Sequence, residues 1–181
     1  MDMKLYRTLG TTLICSSCLL ALICTYGCAL KPSNESVQQT QSIELNKLII
    51  SQDITWRGNV IIAGDIFVPP GVTLTIAPGT QVKFKRIEKT EVQNLFSLDN
   101  PYYPVAEIIV YGRLIANGTK DNHIVFTSAE VDAKQGDWGA INLLGSDDNS
   151  IQYAKISFAQ TGVHAHGSTA RITPRSGRAL K

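Results

Sequence analysis

Along most of the chain, apolar residues fall in short β-branched runs, broken every few residues by Gly, Pro, Asn or Asp. This texture begins at Ile54 and predicts many short strands. No window holds apolar residues at i, i+3 and i+4 for long enough to predict a helix. Three columns of short segments recur instead. The first is Val60-Ile61-Ile62, Val82-Lys83-Phe84, Ile124-Val125-Phe126 and Ile156-Ser157-Phe158. The second sets Gly71-Val72-Thr73-Leu74-Thr75-Ile76 beside Gly112-Arg113-Leu114-Ile115-Ala116, each running on to a Gly-Thr turn. The third is Ile66-Phe67-Val68, Ile108-Ile109-Val110, Ala140-Ile141-Asn142 and Gly162-Val163-His164.

The first column recurs at spacings of 22, 42 and 32 residues. A 20-residue excursion, Arg86 to Val105, accounts for one surplus. About ten residues around Ala129 to Gln135 account for the other, leaving one period of 22. Three strands and three turns in so short a period cannot close a sheet of their own. They can wind one rung of a coil in which each strand pairs with its equivalent one rung on. The expected fold is therefore all-β, a right-handed parallel β-helix of about four to five rungs over residues 46–173, with an inserted loop at 86–105. Inward side chains should stack in files, with Phe84, Phe126 and Phe158 in one and Leu74, Leu114, Ile151 and Ile172 in another. Ile43 to Ile50 can cover the first rung. The basic polar tail 174–181 breaks the pattern without an amphipathic cap, so the solenoid is expected to be truncated at its C-terminus and prone to end-to-end self-association.

Pro69-Pro70-Gly71-Val72-Thr73-Leu74-Thr75-Ile76-Ala77-Pro78-Gly79-Thr80, Val110-Tyr111-Gly112-Arg113-Leu114-Ile115-Ala116-Asn117-Gly118-Thr119 and Gly136-Asp137-Trp138-Gly139-Ala140-Ile141 follow one another in order. This succession resembles the right-handed parallel β-helix repeat proteins of the pectin-lyase-like fold, secreted or surface-attached in bacteria. The resemblance implies the fold and leaves the activity open, because lyases, hydrolases, binding proteins and passive stalks share it. It also implies what an enzyme of this kind would need. Acidic-sugar lyases use clustered Asp with calcium and a basic Arg or Lys, and hydrolases use carboxylates converging on one rung face.

The first 28 residues have a different character. Lys4 and Arg7 precede an uncharged stretch from Leu9 to Cys24, and small Gly27 stands directly before Cys28. That is the layout of an export signal over 1–27. Thr25-Tyr26-Gly27-Cys28 resembles the lipobox of bacterial lipoproteins, which implies lipidation of Cys28. Thr25 stands where a Leu is usual, and ordinary cleavage nearby or an uncleaved anchor are the alternatives. The four cysteines, Cys15, Cys18, Cys24 and Cys28, all lie in this segment, so they do not form a disulfide framework for the fold. Residues 28–45 then read as the lipidated cysteine and a polar tether. The expected location is the cell envelope, outer membrane or cell surface, with the membrane as partner through a lipid anchor.

Charge changes the picture by exclusion. Of 181 residues, 17 are Lys or Arg and 15 are Asp or Glu, so a globally basic nucleic-acid surface is ruled out. No nucleic-acid partner is expected. A 44% apolar fraction excludes disorder throughout.

Candidate chemistry is sparse. Asp65, Asp121, Asp132, Asp137, Asp147 and Asp148 read mostly as turn residues. Asp147-Asp148 is the adjacent pair, a solvated turn or else a weak calcium site. His164 and His166 share one face of a strand, outward if Val163 and Ala165 face the core, and make a two-ligand metal candidate. In the loop, Phe96, Tyr102 and Tyr103 are candidates for stacking on sugar rings, against the alternative that they pack the loop onto its own rungs. No catalytic residues are assigned, and no cofactor beyond the calcium alternative. The expected role is a cell-envelope lipoprotein presenting its β-helix as a structural or interaction module, with polysaccharide or another envelope protein as partner. The alternative is a carbohydrate-binding or carbohydrate-active domain, like a polysaccharide lyase or glycoside hydrolase, with its site on the solenoid flank.

Overall fold

A computed structural model describes residues 42–87, 93–95 and 100–173. The export signal, Cys28, Phe96 and the tail 174–181 lie outside the described residues. Fifteen strands follow in chain order, three to a rung. The first rung is β1 (Ser42–Leu45), β2 (Leu48–Ile49) and β3 (Ile54–Trp56), and the second β4 (Asn59–Ile62), β5 (Ile66–Val68) and β6 (Thr73–Ile76). The third is β7 (Gln81–Phe84), β8 (Ile108–Val110) and β9 (Arg113–Asn117), and the fourth β10 (Ile124–Ser128), β11 (Trp138–Leu144) and β12 (Asn149–Gln152). The fifth is β13 (Ala154–Ile156), β14 (Ala159–His166) and β15 (Ala170–Thr173).

Each rung adds one strand to each of three sheets, ordered β1-β4-β7-β10-β13, β2-β5-β8-β11-β14 and β3-β6-β9-β12-β15. Every pairing is parallel. The described residues form a parallel β-helix of five rungs, as the three repeating columns predict. The chain Ile43 to Ile50 is no separate cover: β1 and β2 pair in register with β4 and β5 as part of a full first rung. Alternate residues turn inward, and Val60, Ile62, Ile66, Leu74, Val82, Phe84, Ile108, Leu114 and Phe126 are buried between the sheets.

The side-chain files differ from those expected, and the differences have causes. Val82 pairs with Phe126, and Phe126 with Ile156, so Phe84 lies level with Ser128 rather than with Phe126. A slip of two residues preserves the inward-outward alternation, so alternation cannot detect it. Packing decides it. The Trp138 ring lies flat on Phe84, centroids 4.1 Å apart and 2° from parallel, so a small Ser128 is what fits beside it. Phe158 leaves the file altogether. It sits at φ 62 in the turn between β13 and β14 and is 37% exposed.

The third sheet shows the same slip. Ile151 pairs with Ala116 and Ile172, while Leu114 pairs with Leu74. The level above Leu114 belongs to buried Asn149, whose Oδ1 accepts the Leu114 N–H at 2.8 Å. Its Nδ2 donates to the Ser146 and Thr169 carbonyls, so its burial leaves no polar atom stranded. In the second sheet the error was one residue. Ile141 pairs with Ile108 and Val163, so Asn142, not Ile141, faces outward beside Ile109 and His164.

Glycines at similar places in the repeat do different work. Gly71 takes φ +81 with open space around it, whereas a Cβ on Gly112 would lie 2.2 Å from the Val72 carbonyl oxygen and 2.3 Å from that of Pro69. Backbone cannot yield as a flexible side chain can. Gly112→Ala should therefore lower unfolding stability by about 3 kcal/mol or more, and Gly71→Ala by about 1–2 kcal/mol. Urea unfolding followed by fluorescence of the buried Trp56 and Trp138 measures both, and equal losses would refute the close-approach account.

Candidate functional site

Within the insertion between β7 and β8, the described residues 93–95 and 100–107 lie against the outer face of the second sheet and roof it. Tyr102 is the centre of the roof. Its ring covers Gly139, where a Cβ would meet the Tyr102 Cβ at 2.9 Å and its Cγ at 3.0 Å. A side chain at position 139 would push the insertion off the sheet. Under this cover Ile109 and Asn142 are buried although they point away from the core.

Two carboxyl groups lie at the edge of the roofed face. Asp65 directly precedes β5 and Glu107 directly precedes β8, and since Ile66 pairs with Ile108 they hold equivalent places on adjacent rungs. Each is only 1% exposed. Asp65 Oδ2 accepts the Leu95 N–H at 2.7 Å, and its Oδ1 accepts the Glu107 N–H at 3.2 Å and Asn94 Nδ2 at 3.4 Å. Glu107 Oε1 accepts Asn100 Nδ2 at 2.6 Å, and its Oε2 accepts Asn142 Nδ2. Burial pushes Asp65 up to about 6, against hydrogen bonds from Leu95, Glu107 and Asn94 and the charge of Lys47. Glu107 is pushed up to about 7 by burial, with the negative charge of Asp65 adding to it and bonds from Asn100 and Asn142 opposing.

The network continues outward to His164. Asn142 gives its amide hydrogen to Glu107, so its Oδ1, 3.0 Å from His164 Nδ1, is an acceptor. This pattern makes His164 Nδ1–H the donor to Asn142. Tyr102 Oη lies 3.3 Å from the same Nδ1. A buried carboxyl, an amide and a half-buried imidazole thus form one chain, able to orient His164 and to hold the insertion.

A second cluster ties the root of the insertion to the loop between β10 and β11. Arg86 Nε and Nη2 each lie 2.9 Å from Asp137 Oδ1, and Nη2 lies 3.4 Å from Asp132. The Arg86 N–H donates to Glu130 at 2.8 Å. The other Asp137 oxygen accepts Ser128 Oγ at 2.6 Å and the Lys134 N–H at 3.0 Å. Burial works against the Asp137 charge, but these bonds and the Arg86 guanidinium outweigh it and hold the carboxyl below its usual range.

Asp65 and Asp137 each stand directly before a strand, as turn residues do, and both are buried anchors there. Glu107, Asn142, Asn100 and Arg86 did not stand out in the sequence. One signal was there: an acid directly before the apolar triplet in two successive repeats, Asp65 before Ile66 and Glu107 before Ile108. Among the residues singled out in advance, Tyr102 is buried at 7% exposure and Tyr103 is half-buried. Tyr102 thus spends its ring on Gly139 rather than offering it to solvent. His164 and His166 do share the outward face, Val163 pairing with Ile141 and Ala165 with Leu143, but Asn142 and Tyr102 bond only His164. Asp147 accepts Thr169 Oγ1 at 3.0 Å, and Asp148 holds a turn at φ 57 while its carbonyl accepts Arg113 Nε. Among the described residues, no three or more His, Cys, Asp or Glu side chains converge as metal ligands.

The outer face of the third sheet carries a separate groove of about 630 Å³, lined by Arg113, Asp148, Ser150, Gln152, Thr169 and Arg171 among others. Gln152 Nε2 donates to Ser150 Oγ at 3.0 Å, which donates to Asn117 Oδ1 at 2.7 Å, so its floor is a polar ladder.

Removing the charge at the second cluster has a defined consequence. Asp137→Asn removes the charge that faces the Arg86 guanidinium and replaces one acceptor oxygen by a donor where Ser128 and Lys134 both donate, so it should lower stability at neutral pH. Because the Asp137 pKa is lowered in the fold, its contribution is present above about pH 4 and is lost as pH falls below that. The stability difference between wild type and Asp137→Asn should accordingly shrink on acidification. A difference that is constant from pH 7 to pH 3 would contradict the charge pairing.

A family model described as a pectate-lyase-like beta helix domain matches residues 48–171. No curated protein and no solved structure matches the chain. The match spans more than half of the chain and coincides with the three stacked parallel sheets, so the protein belongs to the pectate-lyase-like β-helix domain family.

Proposed function

We propose that the protein is exported to the cell envelope, anchored through a lipid on Cys28, and presents its β-helix there as a rigid interaction module. The observation that carries the interaction role is the double fixing of the insertion. Asp65 with Glu107 holds it at one end and Arg86 with Asp137 at its root, each through buried carboxyl groups. Fixing a loop before a partner arrives removes the ordering cost from binding, which is what a recognition surface needs. The address rests on the basic start at Lys4 and Arg7, the uncharged run Leu9 to Cys24 and the Gly27-Cys28 exit.

One observation favours a second reading, carbohydrate binding on the flank. The groove on the third sheet sets Arg113 and Arg171 beside the Ser150 hydroxyl and the Gln152 amide, with Asn117 accepting from Ser150. Guanidinium groups match carboxylates in paired hydrogen bonds, and the amide ladder matches sugar hydroxyls. An acidic polysaccharide fits that chemistry.

Two measurements on the full chain separate these readings. Cys28→Ser should abolish acylation, read by incorporation of labelled fatty acid, and move the protein from the membrane to the soluble fraction. Unchanged membrane association would defeat the anchor. An acidic glycan series tested with and without calcium should show no new chain ends if the module reading holds, and cleavage would overturn it. Salt-sensitive binding that drops about tenfold in Arg113→Ala/Arg171→Ala supports the second reading, and binding indifferent to that change defeats it.

A further inference from the structure

We infer that Asp65 and Glu107 form a proton-dependent latch, which holds residues 93–95 and Asn100 against the second sheet while the pair keeps a proton and releases them when both carboxyls are ionised. The two groups stand one rung apart in equivalent positions, about 4.8 Å along the stack. Both are 1% exposed, and the Glu107 N–H already donates to Asp65. Their remaining partners belong largely to the insertion: Leu95 and Asn94 on Asp65, and Asn100 on Glu107. The backbone of position 65 joins in, its N–H donating to the Gln93 carbonyl at 2.9 Å. Whatever drives the two carboxyls toward water therefore pulls directly on residues 93–95 and 100–107.

Two stacked carboxylates in a dry site repel each other and also lose hydration, and one bound proton relieves both. A protonated carboxyl keeps an acceptor oxygen, so the bonds from Leu95 and Asn100 survive protonation. Among the described residues, the charged or titratable groups facing the pair are few. Lys47, between β1 and β2, is the cation acting on Asp65. His164 of β14 reaches Glu107 only through Asn142, and Tyr102 of the insertion reaches it through His164. One cation does not balance two buried anions.

The direction of the pH effect follows. In the closed form Asp65 is raised to about 6 and Glu107 to about 7, while after release both return to the ordinary carboxylate range. The closed form then binds protons more tightly than the open one, so closure is favoured at low pH and weakens as pH rises through 6 to 7. Release would leave Glu107, Asn142 and His164 on an open flank and, since the proposed interaction role rests on a fixed insertion, would confine that role to the protonated, closed form.

Amide hydrogen exchange on the full chain at pH 5.5 and 8, corrected for the intrinsic rate, tests the latch. Protection in peptides covering 93–107 should fall about tenfold or more at the higher pH, while peptides from β9 and β10 keep theirs. Glu107→Gln should keep the insertion protected at both values. Asp65→Asn should do the same and serves if the first variant does not fold. Equal protection of the wild type at both pH values overturns the latch, as does a pH dependence that survives in both variants. Loss of protection in β9 and β10 together with the insertion overturns it too, because that is global unfolding.

Discussion

In the described coil, strands of the inner rungs meet their backbone hydrogen-bonding needs through the strands one rung below and one rung above, those of the first and fifth rungs through one neighbour each, and the rest of the structure depends on that constraint. A rung shares no strand pair with itself, so no rung is stable alone. The register between neighbours must also hold in three sheets at once. A residue added within a strand would shift that register and turn core side chains outward. Added residues therefore leave the coil between strands, after β7 and after β10, and rejoin it in register. Both excursions then have to be held against the flank by contacts of their own. Those contacts are the two carboxyl-centred clusters.

The fold was legible in the sequence because the constraint repeats. Three columns of apolar segments with a common spacing admit few arrangements other than a three-sided coil. The register was less legible, for two distinct reasons. Inward files built on Phe84, Phe126 and Phe158 keep the right alternation while being two residues out, and only the flat stacking of Trp138 on Phe84 shows that no second large side chain belongs there. In β11 alternation itself fails as a guide. Trp138 to Leu143 is buried on both faces, the inner by the core and the outer by the insertion. The anchors were illegible for the same reason. Asp65 and Glu107 look like polar residues at strand starts, and it is a loop far along the chain that buries them. The predicted pairing of His164 with His166 on one face was visible, while the bonds that single out His164 depend on Asn142 and Tyr102, which no local pattern brings together.

The same stacking rule bears on the last rung. In the first and third sheets β13 and β15 repeat the register below them without a break. In the second sheet Trp138 faces Ala159 but Ala140 faces Gly162, so β14 carries an additional residue opposite Gly139, and Gly162 takes φ +78. A bulge of this kind increases twist and breaks the straight edge that a further parallel strand would need. The bulge lies opposite the residue that Tyr102 covers, so the roof and the altered edge occupy the same part of the sheet.

The carboxyl clusters also explain why an acid-rich flank in this family need not be read as catalytic on count alone. A general acid and base serve a substrate only if both reach it, and a carboxylate whose oxygens are taken by a guanidinium, a hydroxyl and a backbone N–H has none left to offer. Asp137 is such a group. Its low pKa comes from Ser128, Lys134 and Arg86, and it is ionised and fully engaged. Asp65 and Glu107 differ in kind, because burial outweighs their hydrogen bonds and raises their pKa values toward neutrality. A group held in that state is poorly solvated when charged, so its environment is costly to keep at neutral pH unless something recovers the cost. At Asp137 the Arg86 guanidinium does so. Beside Asp65 and Glu107 no arginine is present among the described residues, and the insertion's own contacts must carry the load, which makes the roofed flank the part of this solenoid where structure and protonation are most tightly joined.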